Sequence, residues 1–259
     1  MRLIARRARA GLIPSEEAAK ALELSARESN RVLAALTKRG WLKRLRRGLY
    51  LVLPLEAEAR TGGVVEDPWV LASLLFSPCY IGGWSAAEHW GLTEQLFRSV
   101  FVASASHRRR SRVELSGTEF HVVATALERV ESVKPAWRGR ERVAVSSPER
   151  TIADALVTPA WLGGIRSLAD ILVSYRRDAW NPDQLVTELS ALRVGAGFKR
   201  LGYLIESLEL KAPKLVTLAK QRRTSGVVKL DPSIRARGRL LKSWGLWVNA
   251  TVGRGGVSG

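Results

Sequence analysis

The sequence predicts an α+β protein in which an N-terminal winged helix-turn-helix precedes a larger mixed α/β domain. Short helical segments with clear start and stop signals fill the first part of the chain, and two short apolar runs follow them. β-Branched runs then cluster at 99–146 and again near the C-terminus, with helical segments between them. The stretch 54–66 has a proline, paired glycines and few large apolar groups, which is typical of a linker. We therefore expect domains at 1–55 and 67–259.

Three helices are predicted at the N-terminus. The first ends at Gly11, and the second has Ser15 as its expected N-cap, followed by two acidic residues that the helix dipole favours. Ser25 and Glu28 have the spacing of a capping box at the start of the third helix, and Gly40 supplies its stop. Three short helices with a tight turn between the last two are typical of helix-turn-helix proteins.

The third helix is predicted to have a buried face and a cationic outer face. At 100° per residue, Val32, Leu33 and Leu36 fall in one sector and are expected to be buried, and Ser29 points the same way. The opposite sector holds cations and a small residue that permits close approach to a groove, with an asparagine on the flank: Arg27, Arg31, Ala34, Lys38 and Asn30.

A β-hairpin wing is predicted directly after the third helix. The segment WLKRLRRGLYLVLP contains two apolar runs, and Gly48 is placed to take the turn between them. Its cations are expected to face phosphate groups: Lys43, Arg44, Arg46 and Arg47. Order, caps and wing together favour double-stranded DNA as the partner, although a winged helix can also bind protein or RNA.

Two residues of the outer face are the predicted contacts to bases. Arg31 and Asn30 carry guanidinium and amide groups, which pair bidentately with guanine and adenine in the major groove. Most of the affinity is expected to come from release of counterions by the other cations. The run at Arg108, Arg109 and Arg110 is a cationic loop that would add phosphate contacts, although isolated basic runs are commonly just solvated.

The charge of the chain points to a polyanionic partner. The 259 residues hold 42 Lys and Arg against 24 Asp and Glu, a net charge of +18. Residues 1–53 hold 13 Lys or Arg and 4 Asp or Glu, so half of the surplus lies there. No run approaches the roughly 20 apolar residues that span a bilayer, which excludes membrane insertion, and no membrane partner is predicted. No apolar stretch of signal-peptide length follows the N-terminus, so a cytoplasmic protein is expected.

The sequence offers little material for a metal site or cofactor. Cys79 is the single cysteine, which excludes an internal disulfide, and there are three histidines. The stretch 195–202, GAGFKRLG, departs from the phosphate-binding G-x-G-x-x-G pattern because Arg200 replaces the third glycine. We therefore predict no metal and no cofactor.

The stretch YIGGWSAAEHWGL, from Tyr80 to Leu92, raises the question of a serine nucleophile. A nucleophile elbow needs small residues on both sides of the serine, as in G-x-S-x-G, and the second glycine is missing here. Ser85 and Glu88 instead have the spacing of a capping box, and Gly91 is placed to end the helix. We expect Ser85 to cap rather than attack, and we predict no catalytic residue.

Several blocks of the sequence resemble the AbiEi family of antitoxins. They are the N-terminal winged helix ending in RGLY, then YIGGWSAAEHWGL, VAVSSPERTIADAL, GFKRLGYLIESL and the terminal KLDPS…WGLWVN. They occur in order across nearly the whole chain. The resemblance implies the transcription-regulating half of a type IV toxin-antitoxin, or abortive-infection, system.

The resemblance also implies partners. Such an antitoxin binds inverted repeats upstream of its own operon and represses it, and it counteracts a separately encoded nucleotidyltransferase-like toxin without a stable complex. DNA contact would then fall to Arg27, Asn30, Arg31, Lys38 and the wing. A stand-alone regulator, and a second domain that binds a protein through its tryptophans, remain alternatives. A nuclease-like enzyme is a further alternative, but it needs clustered acids that the sequence does not show.

Overall fold

The chain folds as a mixed α+β protein, which confirms the predicted class at that level. The computed structural model describes residues 1–8, 11–53, 67–107, 111–115, 117–133, 135–138 and 141–253. The predicted linker at 54–66 lies outside the described residues.

Residues 1–53 form three helices and a three-stranded antiparallel sheet of order β1-β3-β2. The elements are α1 (Arg2–Arg7), β1 (Leu12–Pro14), α2 (Ser15–Leu22), α3 (Ala26–Lys38), β2 (Leu42–Arg46) and β3 (Leu49–Val52). This order is consistent with a winged helix-turn-helix. Strand β1 was not predicted, because three residues are too few for a periodic signal and only their pairing with β3 makes them a strand.

The predicted N-cap of α2 is wrong. Ser15 is the first helical residue, and Pro14 precedes it as the N-cap with no side-chain hydrogen bond. The Ser15 backbone N–H instead donates to the main-chain oxygen of Gly48 at 2.8 Å. This bond joins the start of α2 to the turn of the wing, a partner more than thirty residues away.

Strands β1 and β3 of the N-terminal sheet are buried on both faces, whereas the charged residues of the edge strand β2 are exposed. Successive residues of a strand point to opposite sides, and Ile13 and Tyr50 pack with α1 to α3 in a small core that includes Leu33. Leu12, Leu49 and Leu51 point the other way and belong to a core cluster that continues beyond residue 67.

The second part of the chain begins with a four-stranded sheet of order β4-β5-β7-β6, in which β5 and β7 are parallel. A two-stranded hairpin, β8-β9, follows it. The elements are α4 (Pro68–Phe76), β4 (Cys79–Ile81), α5 (Gly83–His89), β5 (Val100–Ser104), β6 (Ser111–Leu115), β7 (Thr118–Ala124), α6 (Leu127–Glu131), β8 (Pro135–Arg138) and β9 (Glu141–Ala144). Helix α4 packs its apolar residues against this sheet and against the N-terminal one.

Helices dominate the remainder, which ends in a small sheet of order β10-β12-β11. The elements are α7 (Pro148–Val157), a 3₁₀ helix (Pro159–Leu162), α8 (Ile165–Asp178), α9 (Pro182–Ala191), α10 (Gly195–Ser207), α11 (Pro213–Arg222), β10 (Val228–Lys229), β11 (Arg239–Leu241) and β12 (Leu246–Val248). Trp244 is fully buried among these helices, and it lies so close to Gly202 of α10 that a Cβ there would be 1.9 Å from the ring.

Buried polar groups in this part bond to one another and to the backbone. Arg150 Nε donates to Asp154 Oδ1 at 3.0 Å, and the Tyr80 hydroxyl donates to Asp154 Oδ2 at 2.7 Å. Arg200 donates to the main-chain oxygens of Leu156 and Leu230 at 2.8 and 2.9 Å. Arg200 therefore joins the end of α7 to β10, which explains an arginine in the glycine-containing stretch.

Asp231 fixes the start of α8 from a distant part of the chain. Its Oδ2 accepts the Ile165 backbone N–H at 2.8 Å, and its Oδ1 accepts the Ser233 backbone N–H at 2.9 Å. The Asn249 side chain accepts from the Asp231 N–H at 2.9 Å and donates to the Asp231 main-chain oxygen at 2.7 Å. The terminal KLDPS and WGLWVN segments are thus held together by side-chain to backbone hydrogen bonds.

Candidate nucleic-acid interface

Helix α3 begins at a complete capping box, as predicted. Ser25 Oγ accepts the Glu28 backbone N–H at 3.3 Å, and Glu28 Oε2 accepts the Ser25 backbone N–H at 3.1 Å. Hydrogen bonds from the Ser25 side chain and backbone lower the pKa of Glu28. Gly40, one residue past the C-cap, has φ +72°, which glycine tolerates and which ends the helix where predicted.

The predicted faces of α3 are correct in orientation. Leu33, Leu36 and Ser29 are buried, and Val32 is half-buried rather than fully buried. The outer face of α3, which we define as the following five residues, is exposed throughout: Arg27, Asn30, Arg31, Ala34 and Lys38. In the part of the chain that the structure describes, none of its cations makes an ion pair. These side chains are free to meet an external anion.

The wing is the antiparallel hairpin of β2 and β3. Its register pairs Lys43 with Leu51 and Arg46 with Leu49, with an irregularity between Arg44 and Arg46. Gly48 has φ +79° and makes the turn, as predicted. All four predicted wing cations are exposed: Lys43, Arg44, Arg46 and Arg47.

One wing cation has a partner that sequence reasoning missed. Arg46 Nη2 donates to the main-chain oxygen of Leu74 at 2.9 Å, and Leu74 lies in the last turn of α4. Basic side chains near a helix C-terminus are favoured by the helix dipole and by the unpaired carbonyls there. No local sequence signal predicts this bond, because its partner is 28 residues away.

Arg108, Arg109 and Arg110 lie outside the described residues. Their predicted phosphate contacts therefore stay a prediction.

The predicted capping box at Ser85 is wrong. Helix α5 begins at Gly83, two residues earlier, and its N-cap Gly82 makes no side-chain hydrogen bond. Ser85 Oγ accepts the Phe101 backbone N–H at 3.0 Å, and Glu88 Oε2 accepts the Phe97 backbone N–H at 3.2 Å. Both side chains therefore hold the segment that leads into β5. Gly91, with φ +65°, follows the end of α5 as predicted.

The same region does not assemble a nucleophile. Among the described residues, the Ser85 hydroxyl has no histidine or other base as a hydrogen-bond partner. His89 instead packs on Trp69, with ring centroids 5.3 Å apart, and burial together with the charge of Arg138 lowers its pKa. Burial raises the pKa of the Cys79 thiol to about 12, which makes it a poor nucleophile.

Within the described ranges, no group of three or more His, Cys, Asp or Glu side chains could hold a metal ion. No helix in those ranges is both long and apolar enough to cross a membrane.

A family model described as "Transcriptional regulator, AbiEi antitoxin" matches this chain over α1 to β3, the segment that carries the outer face of α3 and the wing. Residues 1–52 match the AbiEi family. The resemblance stated from the sequence is confirmed for this segment. The AbiEi match supports a regulator role.

A solved structure is similar in fold to most of this chain, including the AbiEi-matching segment. The crystal structure of the RV2827C protein from Mycobacterium tuberculosis aligns with a TM-score of 0.60, covering 91% of this chain and 85% of that chain. The sequence identity is 16%, so the likeness shows a shared fold alone. No curated protein matches the chain in sequence.

Proposed function

We propose that this protein is a DNA-binding transcriptional repressor whose residues 1–53 act as a winged helix-turn-helix. The observation that carries the proposal is the exposure of the outer face of α3 beside an exposed cationic wing. Unpaired cations on a helix of fixed start and end suit insertion into a major groove, with the wing against the backbone. The AbiEi match over the same residues supports this reading.

The side chains divide into two roles in this proposal. Arg31 and Asn30 read base edges, because their groups form bidentate pairs with guanine and adenine. The remaining cations contact phosphates and release counterions: Arg27, Lys38, Lys43, Arg44, Arg46 and Arg47, with Arg108, Arg109 and Arg110 as further contacts. Arg46 keeps Nη2 on Leu74, which leaves its other nitrogens for a phosphate.

The antitoxin role is a second part of the proposal. The protein acts in the cytoplasm, binds inverted repeats upstream of its own operon, and counteracts a nucleotidyltransferase-like toxin without a stable complex. The family description supports an antitoxin in general. Co-expression with an adjacent reading frame tests this role. If that reading frame encodes the toxin, its expression should arrest growth, and co-expression of this protein should restore growth. Failure to restore growth would favour a stand-alone regulator.

A mobility shift on the duplex upstream of the gene tests DNA binding. We expect a complex that forms in EDTA and resists competition by a scrambled duplex of equal length. The outcome that overturns the proposal is indifference to both duplexes at low salt. Loss of the DNA only when a divalent metal is present would favour the nuclease alternative.

A further inference from the structure

A cationic cleft lies far from residues 1–53 in sequence, where the end of α11 meets the C-terminal sheet. Its volume is about 490 Å³, and Lys220, Arg223 and Lys242 supply the charged groups of its lining. The other lining residues are neutral, so no carboxylate belongs to it. We call it the Arg223 cleft.

Two of the three cations are uncompensated. Within the part of the chain that the structure describes, Arg223 and Lys242 make no ion pair and no side-chain hydrogen bond, and both are exposed. Lys220 pairs with Glu206 Oε1 at 3.0 Å, and Glu206 Oε2 also accepts from Trp244 Nε1 at 2.6 Å. Glu206 therefore holds Lys220 in place without lining the cleft.

A buried lysine lies behind the cleft. Lys199 is fully buried, and its Nζ donates to the main-chain oxygens of Gly226 and Ser225 at 2.7 and 3.3 Å. A Cβ on Gly245, which lines the cleft, would lie 3.3 Å from that Nζ. Lys199 has no carboxylate partner among the described residues, so it adds positive charge to the wall.

Several backbone oxygens of the lining already accept hydrogen bonds from the protein. Lys199 occupies the oxygens of Ser225 and Gly226, and the Gly245 oxygen accepts the Val228 N–H at 3.1 Å. These oxygens are thus already occupied by donors of the protein, and Thr224 and Ser225 are the neutral polar residues of the lining. All the charged groups that line the cleft are therefore hydrogen-bond donors.

We propose that the Arg223 cleft binds phosphate groups of a nucleic-acid strand, as a second contact separate from the outer face of α3. Arginine and lysine side chains that are exposed and unpaired are the groups that neutralise a phosphate backbone. No aromatic ring lines the cleft to stack a base, which favours contact to the backbone over capture of a free nucleotide. The inference does not depend on the proposed role of residues 1–53.

The test uses the full chain carrying Arg27→Ala and Arg31→Ala, which weakens binding by the outer face of α3 and leaves the wing unchanged in every protein compared. Into this background we place Arg223→Gln with Lys242→Gln. The matched control is Lys214→Gln with Arg235→Gln, which removes the same two residue types at exposed positions outside the cleft. Affinity for a fluorescent 30-nucleotide DNA of arbitrary sequence is measured against salt concentration, and thermal melting checks the fold.

We expect the background protein to bind the oligonucleotide at low salt. The cleft variant should flatten the slope of log K against log salt by about one per cation removed. The control should leave it nearly unchanged, because its side chains lie outside the cleft. The proposal is overturned if the background protein does not bind the oligonucleotide, or if the cleft and control variants lose the same amount of affinity for it. It is also overturned if polyglutamate displaces the oligonucleotide as effectively as DNA of equal charge. Saturable ATP binding that depends on Arg223 and excludes the oligonucleotide would also overturn it, in favour of a nucleotide site.

Discussion

Arg46 Nη2 of the wing donates to the main-chain oxygen of Leu74 in α4 at 2.9 Å. Beside it, Leu12, Leu49 and Leu51 share one buried cluster with Leu71 and Leu75 of α4. The wing is therefore joined to α4 by a hydrogen bond and by the apolar contacts of Leu49 and Leu51, while Leu42 and Tyr50 pack in the N-terminal core. Arg46 therefore contributes a hydrogen bond to the fold as well as a positive charge to the wing.

Replacing Arg46 and Arg47 separates these two contributions. Arg46→Ala should lower the free energy of unfolding by about 1 kcal/mol or less, because an exposed hydrogen bond to α4 is lost. Arg47→Ala should change stability by less than about 0.5 kcal/mol, since it makes no such bond, but should flatten the salt dependence of DNA binding by about one. Urea unfolding and titrations at several salt concentrations measure both. Equal stability of the two variants would show that the Leu74 contact contributes nothing.

Two glycines of α10 provide a matched packing test. A Cβ at Gly202 would lie 1.9 Å from the Trp244 ring, whereas one at Gly197 would meet the flexible end of Leu189 at 2.6 Å. Gly202→Ala should therefore destabilise by about 1–3 kcal/mol through overpacking. Gly197→Ala should cost less, because a leucine tip can move and alanine favours a helix. Thermal melting compares them, and a milder effect at Gly202 would contradict the packing of Trp244.

Asp231 should make stability depend on acidity. Burial alone would raise the pKa of Asp231, but hydrogen bonds from Ser233 and Ile165 outweigh it and hold the pKa below its ordinary 3.8. Its contribution is therefore present above pH about 4 and is lost as the pH falls through the folded-state value.

Asp231→Asn is the variant that tests this contribution. It should cost about 1–3 kcal/mol near neutral pH, because an amide NH₂ then faces a backbone donor. It should also weaken the acid dependence of urea unfolding. If the variant loses stability at low pH as steeply as the wild type does, Asp231 is not the source of the acid dependence.

Ser85→Ala should destabilise the protein for a reason other than helix capping. Ser85 Oγ accepts the Phe101 backbone N–H, and the residue is only 4% exposed, so the variant leaves a buried donor unpaired. The expected loss is about 1–3 kcal/mol in urea unfolding, with DNA affinity retained once the variant is folded. Unchanged stability with lost DNA binding would assign Ser85 a different role.

Local patterns predicted α3 well, and long-range contacts explain the failures. The capping box at Ser25 and the faces of α3 depend on residues within a few turns, so the sequence contains what determines them. Serine is a common N-cap residue, but neither Ser15 nor Ser85 caps its helix. The Ser15 N–H donates to the Gly48 oxygen, and Ser85 Oγ accepts the Phe101 N–H. Such partners are set by packing that no local pattern records.

The Arg223 cleft shows the same limit for the candidate sites. The basic run that ends α11 was visible in the sequence, yet a basic helix end is usually only a solvated surface. The basic end of α11 lies next to Lys242 only because β11 and β12 fold back beside α11. The same folding places the buried Lys199 behind both. The wheel of α3, by contrast, placed Arg31 and Asn30 on an exposed face from spacing alone.

In the proposed function the outer face of α3 reads DNA sequence, and the ratio of two DNA affinities tests this role. The full chain is titrated with the duplex upstream of its gene and with a scrambled duplex, for wild type, Arg31→Ala and Arg47→Ala. We predict that Arg31→Ala reduces the ratio of the two affinities by roughly 5-fold to 150-fold, because a bidentate base contact is lost. This factor corresponds to about 1–3 kcal/mol of discrimination. Arg47→Ala should weaken both duplexes alike and preserve the ratio. An unchanged ratio in Arg31→Ala, or an equal reduction in both variants, would contradict the account.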